Sequence, residues 1–311
     1  GNLTEKNLQS VEQKLHEFAS EGLRVIAIAY KEMPENTLLS NDDVENEMIF
    51  VGLAAMKDPP RVEVKEAVRQ AKQAGIKIVI ITGDYGPTAQ AIAEEVGIVE
   101  SGQTHVIRGV DLETMSDEEI LEKVKKGEVI FARVTPEQKL RIVTVLKQKG
   151  EIVAVTGDGA NDAPSLKEAD IGIAMGVSGT DVARDAADLV LLDDSFASIV
   201  NAVESGRAIY ENIRKFIVYV FAHNWAELVP FVLYVLLNIP LPLLVVQVLA
   251  IDLGIDVIPS LALSREPPEM GTMQEPPRSV TERLFNRRVF LRSLYIGLII
   301  SAGAMVGCLS T

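Results

Sequence analysis

Seven consecutive residues, Thr156-Gly157-Asp158-Gly159-Ala160-Asn161-Asp162, follow directly on the apolar run Ile152–Val155. Glycines at a strand end let the backbone approach a phosphate closely, and the start of a following helix offers free N–H groups. Asp158, Asp162 and Asn161 add two carboxylates and an amide, the hard oxygen ligands that suit Mg²⁺. A bare Gly/Asp turn needs only one or two such residues, so seven in a row point to phosphate and metal chemistry. A second apolar run, Ile76–Ile81, ends in Thr82-Gly83-Asp84, where a hydroxyl and backbone amides can hold phosphoryl oxygens. Lys139 falls near the start of a helix within Arg133-Val134-Thr135-Pro136-Glu137-Gln138-Lys139, where an ammonium can neutralise charge on a transferring phosphoryl group; read alone, it is equally a surface lysine. Asp58-Pro59-Pro60-Arg61 reads either as a rigid turn or as part of the same chemistry.

Further carboxylates stand where the sequence is most apolar. Glu227, with Asn224 one turn before it, lies inside Phe216–Leu237, and Asp252 and Asp256 lie at i, i+4 inside Leu241–Leu263. A carboxylate at membrane depth costs a few kcal/mol and is rarely kept without a partner or a cation. Helical spacing puts each pair on one face, so two adjacent helices can converge on one cation. The alternative is a packed hairpin whose polar groups bond one another. Gly254 and Pro259 interrupt the second run and can free backbone carbonyls. His223, which precedes Asn224 and could tune charge there, reads rather as a neutral packed histidine, and Trp225 and Cys308 as packing residues.

The elements that must position these groups follow from periodicity. Leu8, Val11, Leu15 and Phe18 predict a helix over residues 5–20, followed by a strand Leu23–Ala29. From residue 49 the pattern alternates: strand Ile49–Ala54, helix Val62–Ala74, strand Ile76–Ile81, helix Pro87–Val96, helix Asp117–Lys126 and strand Val129–Ala132. It continues through helix Pro136–Lys149, strand Ile152–Val155, helix Ala160–Ala169, strand Ile171–Ala174 and strand Leu189–Leu192. Apolar strands separated by helices imply an α/β fold with a parallel sheet covered on both faces, with ligands at the strands' carboxyl ends.

Phe216–Leu237, Leu241–Leu263 and Val289–Leu309 are each long enough to span a bilayer, and Asn238-Ile239-Pro240 allows only a tight hairpin between the first two. They account for the 48 % hydrophobic content and the mean hydropathy of +0.20. Arg265, Arg278, Arg283, Arg287 and Arg288 in the 264–288 connection place that loop, and the soluble domain, on the cytoplasmic side. One cysteine permits no internal disulfide, and a net charge of -14 without a basic stripe argues against nucleic-acid binding.

Met56-Lys57-Asp58-Pro59-Pro60-Arg61, Thr82-Gly83-Asp84, Ala132–Lys139 and Thr156–Asp162 occur in the order found in P-type ATPases, a family within the haloacid-dehalogenase-like superfamily, which this chain resembles over nearly its whole length. The resemblance implies ATP and Mg²⁺, with Asp158 binding the metal, Asn161 and Asp162 organising the site, Lys139 contacting phosphate and Thr82-Gly83 cradling the phosphoryl group beside Asp84. Arg24 resembles a nucleotide-contacting arginine and is otherwise a solvated strand-end charge; Arg61 and Arg133 stand beside the phosphate motifs. Ala222–Leu228 and Val246–Pro259 resemble the fifth and sixth membrane helices of calcium and sodium/potassium pumps, implying a transported metal cation such as Ca²⁺ or Na⁺. Calcium pumps commonly carry asparagine at the position of Asp252 and threonine at that of Ile255, and an isoleucine offers no ligand.

The resemblance divides the chain into a nucleotide-domain end (1–46), a phosphorylation-domain part (47–205), a stalk and membrane hairpin (206–264), a cytoplasmic loop (265–288) and the start of a further helix (289–311). The long helix from about Phe196 through Tyr210 would carry domain motion to Glu227. The family's phosphorylated aspartate lies in an Asp-Lys-Thr-Gly-Thr run that this sequence does not contain. The expectation is therefore a C-terminal piece of a pump, inactive alone and partnered by the rest of the pump and a lipid bilayer. A truncated non-catalytic product and a membrane-anchored phosphatase are the alternatives, and any regulatory subunit is left unspecified.

Overall fold

A computed structural model describes residues 5–33, 46–100, 105–127, 129–237, 241 and 243–309. The chain forms two compact units, residues 1–72 with 76–199 and residues 73–75 with 200–311. The turn expected at Asn238-Ile239-Pro240 lies outside the described residues.

In the first unit, helix α1 (Glu5–Ser20) leads through a glycine turn into strands β1 (Arg24–Tyr30) and β2 (Ile49–Met56), which pair antiparallel. Gly22, at φ +78°, makes the turn that leaves α1. After α2 (Val62–Gln73) come β3 (Ile80–Ile81) and α3 (Gly86–Glu95), where Pro87 sits in the first turn and needs no donor. Strand β4 (His105–Arg108) and the short α4 (Gly109–Leu112) precede α5 (Asp117–Lys126) and β5 (Val129–Ala132). Helix α6 (Pro136–Gln148) is capped by Thr135, whose hydroxyl accepts from the Gln138 N–H while the Gln138 side chain accepts from the Thr135 N–H. Next are β6 (Ala154–Gly157), α7 (Ala163–Glu168), β7 (Ile171–Met175), α8 (Asp181–Ala186) and β8 (Leu189–Leu191).

The parallel frame is in two pieces, with strand orders β3-β5-β4 and β6-β7-β8. Ile130, Phe131 and Ala132 of β5 are fully buried, as the central strand of a covered sheet must be. Among the described residues β3 and β6 each have one paired neighbour, so each leaves a flank open. The open flank also explains why the strand expected over Ile76–Ile81 shrinks to Ile80–Ile81. Only those two residues find partners, Ile130 and Phe131, while the Ile76 N–H turns back to the Ala71 carbonyl at 2.9 Å. One core cluster gathers Leu112, Ile120, Phe131 and Ile142 beneath the first sheet; a second gathers Val143, Val155 and Leu166 beneath the other.

The second unit is helical. Helix α9 (Phe196–Leu237) runs unbroken for 42 residues, about 63 Å at 1.5 Å per residue. Helices α10 (Val245–Ile251) and α11 (Val257–Leu263) are joined by a π-helical turn over Asp252–Asp256, and α12 covers Arg287–Leu309. Three segments, Phe196–Leu237, Val245–Leu263 and Arg287–Gly307, are long and apolar enough to cross a membrane. Helices α9 and α12 touch closely: a Cβ on Gly297 would lie 2.4 Å from Trp225 Cβ and 2.7 Å from the Ala222 carbonyl oxygen. Small residues at such crossings let membrane helices approach.

Candidate functional site

The carboxyl ends of β3 and β6 open on one cleft of about 540 Å³, lined by Thr82 and Gly83 from one strand and Thr156, Gly157 and Asp158 from the other. Lys139, from the first turn of α6, reaches into it, and its Nζ lies 2.7 Å from Asp162 Oδ1. The two side chains are only 15 % and 20 % exposed, so this is not a surface ion pair. The second Asp162 oxygen accepts from the Asp158 N–H at 3.1 Å and the Gly159 N–H at 3.2 Å. Burial pushes the Asp162 carboxyl up, but the Lys139 hydrogen bond and charge and the two backbone donors outweigh it and hold the group below its ordinary value. Asp162 thus acts inward, folding the loop so that the exposed Asp158 carboxylate stands in the cleft. Gly157 makes this possible, because a Cβ there would fall 2.4 Å from Asp162 Cβ.

The Thr82 loop is held against the end of β5. The Val134 N–H donates to the Thr82 carbonyl and the Arg133 N–H to the Asp84 carbonyl, both at 3.2 Å. The Thr82 hydroxyl donates to Asp84 Oδ2 at 3.2 Å and accepts from the Asp84 N–H at 3.0 Å, a local turn that presents Gly83 to the cleft. Arg133, at φ +55°, sets its guanidinium 5.7 Å from the Tyr85 ring centroid. Arg61 lines the cleft and donates to the Asp193 carbonyl at 2.9 Å. Asp84, Arg133 and Asn161 flank the cleft without lining it, and Arg24 is exposed on β1 of the antiparallel pair.

Sequence reasoning missed Asp194. Its carboxylate accepts from the backbone N–H groups of Gly176, Val177 and Ser178 at 2.7, 3.0 and 2.7 Å, and it lines the same cleft. These donors, Val177 first, hold it at about 2. The available signal was the small-residue turn after β7 together with the paired Asp193-Asp194 after β8.

In the second unit the structure gathers Glu227, Asp252 and Asp256 and leaves Asn224 exposed on α9. The fourth member of the group is His223, whose Nδ1 lies 3.7 Å from Glu227 Oε1 and 3.7 Å from Asp256 Oδ1. Pro230, buried in α9 three residues beyond Glu227, has no N–H for the Ala226 carbonyl, so that carbonyl loses its helical donor.

The donors present in the cleft fit Mg²⁺. Three donors engage Asp162, while the exposed Asp158 carboxylate lines the cleft, which leaves room for a hard cation that keeps several of its waters.

With a parallel α/β frame and Gly-containing loops at two strand ends, the chain belongs to the haloacid dehalogenase-like hydrolases, whose family model matches residues 6–170. A second model, described as cation transporting ATPase, C-terminus, matches residues 240–311. Calcium-transporting ATPase 1 of Bacillus cereus is 45 % identical over 287 residues, covering 92 % of this chain and 32 % of that protein. A calcium-transporting ATPase of Bacillus subtilis is 43 % identical over 297 residues, covering 95 % and 32 %. Human sodium/potassium-transporting ATPase subunit alpha-2 is 46 % identical over 267 residues, covering 78 % and 26 %. These matches place the chain more narrowly among the P-type cation-transporting ATPases, and it spans about a third of the length of the relatives it matches.

Proposed function

We propose that the protein couples ATP hydrolysis to the movement of a metal cation across a bilayer through an aspartyl-phosphate, and that this chain supplies both the phosphoryl-handling cleft and cation ligands. The observation that carries this reading is the meeting of Thr82-Gly83, Thr156–Asp162 and Lys139 in one cleft, on a chain that also bears grouped carboxylates on membrane-length helices. The Thr82 hydroxyl and Gly83 backbone cradle the phosphoryl oxygens. Lys139 offsets their charge from a half-buried position, where such compensation is worth most. Asp158 holds Mg²⁺, which when bound screens the phosphoryl charge during in-line transfer. Asp162, with Asn161 beside it, fixes the loop, and Arg61, Arg133 and Arg24 contact nucleotide or phosphate.

The nucleophilic aspartate comes from another part of the protein, since no Asp-Lys-Thr-Gly-Thr run occurs here. The open flanks of β3 and β6, ending on the same cleft, give a strand carrying it a place to pair. The arginines at 265, 278, 283, 287 and 288 favour a cytoplasmic soluble unit. The cation is bound by Glu227, Asp252 and Asp256, with Asn224 joining when the remaining membrane helices are in place.

The test is phosphorylation of the full-length protein from γ-labelled ATP. Asp158→Asn abolishes phosphoenzyme, and a normal level would remove Asp158 from the metal role. Glu227→Gln leaves phosphoryl chemistry intact but weakens its cation dependence; an unshifted ion-activation curve would take Glu227 out of the site.

A further inference from the structure

We infer that His223 is a ligand of the membrane cation site, and that the site therefore takes a divalent transition-row cation that accepts imidazole nitrogen, of the Zn²⁺ or Mn²⁺ kind. The inference rests on the reading that Glu227, Asp252 and Asp256 bind the transported ion, and it names the class of that ion.

Three observations converge. One ligand atom each from His223, Glu227 and Asp252 lies within 4.8 Å of the others, and Asp256 joins through its 3.7 Å approach to His223 Nδ1. Ligand atoms around a tetrahedral ion with bonds near 2.05 Å stand about 3.3 Å apart, and His223 Nδ1 stands 3.7 Å from Glu227 Oε1 and 3.7 Å from Asp256 Oδ1, within a few tenths of an ångström of that spacing on both sides. Second, His223 Nδ1, Glu227 Oε1 and Asp256 Oδ1 are each buried and have no hydrogen-bond partner. A packed histidine or mutually bonded carboxylates would satisfy these atoms. A buried donor or acceptor left unsatisfied loses its hydration without return, and a shared cation would satisfy all three. Third, the backbone is shaped for the group: Asp252 and Asp256 occupy a π-helical turn, a distortion that recurs at functional sites.

The donor set then decides the ion. Ca²⁺ takes oxygen ligands, whereas imidazole suits transition-row cations and Zn²⁺ in particular. A site with nitrogen from His223 and oxygens from Glu227, Asp252 and Asp256 is a mixed set that those ions prefer.

Equilibrium binding of Zn²⁺ and of Ca²⁺ is measured on the full-length protein in detergent, for the wild type, His223→Ala, His223→Gln and Glu227→Gln. His223→Ala lowers Zn²⁺ affinity roughly 10- to 100-fold, the range seen even for groups one shell further from a metal, and leaves Ca²⁺ affinity within about threefold. His223→Gln, which keeps volume and polarity but offers no imidazole, gives the same selective loss. On the wild type loaded with Mn²⁺ alone, pulsed electron paramagnetic resonance shows coupling to a nitrogen, which needs no variant to fold. Absence of nitrogen coupling, or equal losses for both ions in both His223 variants, overturns the inference. If Glu227→Gln weakens Zn²⁺ binding while the His223 variants do not, only the imidazole ligand is refuted; if Glu227→Gln also changes nothing, the cation site beneath it falls as well.

Discussion

Replacing Lys139 with alanine removes the one cation within salt-bridge distance of Asp162 among the described residues. The pair stands at 2.7 Å with side chains 15 % and 20 % exposed, so its loss leaves a carboxylate stranded in poor solvent. Breaking a buried pair by deleting one partner costs about 3–5 kcal/mol. The low end applies here, about 3 kcal/mol, because the Asp158 and Gly159 N–H groups still share the charge. The loop from Gly157 to Asp162 loses one of its ties, so its local opening should become easier by that amount. At 1.4 kcal/mol per decade this is roughly 150-fold faster amide exchange at Asp158 and Gly159. Hydrogen exchange read by mass spectrometry over residues 155–165 measures it directly. Exchange within about threefold of wild type would show that Asp162 does not depend on Lys139 and would refute the argument that the lysine organises this loop.

Two further outcomes follow from the same geometry. Asp194 is held at about 2 by three backbone donors; because this folded value lies below the ordinary carboxylate value, its stabilisation is complete above about pH 4 and is lost as the pH falls toward about 2. Asp194→Asn should flatten the acid limb of a urea-midpoint profile between those values, and an unchanged slope would exclude the group as its source. Gly297→Leu forces a side chain into space 2.4 Å from Trp225 Cβ, at a cost of about 2 kcal/mol for overpacking; a lowered unfolding midpoint in detergent checks it, and tolerance would show that α9 and α12 pack differently.

The lining of the cleft was legible where it is written in consecutive residues. Thr156–Asp162 and Thr82–Asp84 announce themselves because strand-end loops need small and oxygen-bearing residues in a fixed order. The pairing of Lys139 with Asp162 was not legible, since 23 residues separate them and only the fold brings α6 over the β6 loop. Asp194 was missed for a related reason: it accepts from backbone N–H groups 16 to 18 residues away, which the sequence marks only by the small-residue turn after β7. His223 is different. In sequence it reads as a packed histidine, although it stands four residues before Glu227, the same helical spacing that paired Asp252 with Asp256, and the structure sets it beside the carboxylates. The antiparallel pairing of Arg24–Tyr30 with Ile49–Met56 was also out of reach, because strand partners are chosen by non-local burial.

The chain contains one tryptophan, and it is Trp225. It lies between His223 and Glu227, its ring edge-on to Phe290 at 5.9 Å and its indole N–H buried without a hydrogen-bond partner. Indole emission shifts with local polarity and field, so the indole fluorescence of these 311 residues comes from one place, beside His223 and Glu227. On the proposed reading, cation arrival changes the charge beside this indole, so within these residues occupancy is reported by Trp225 itself, without an attached dye.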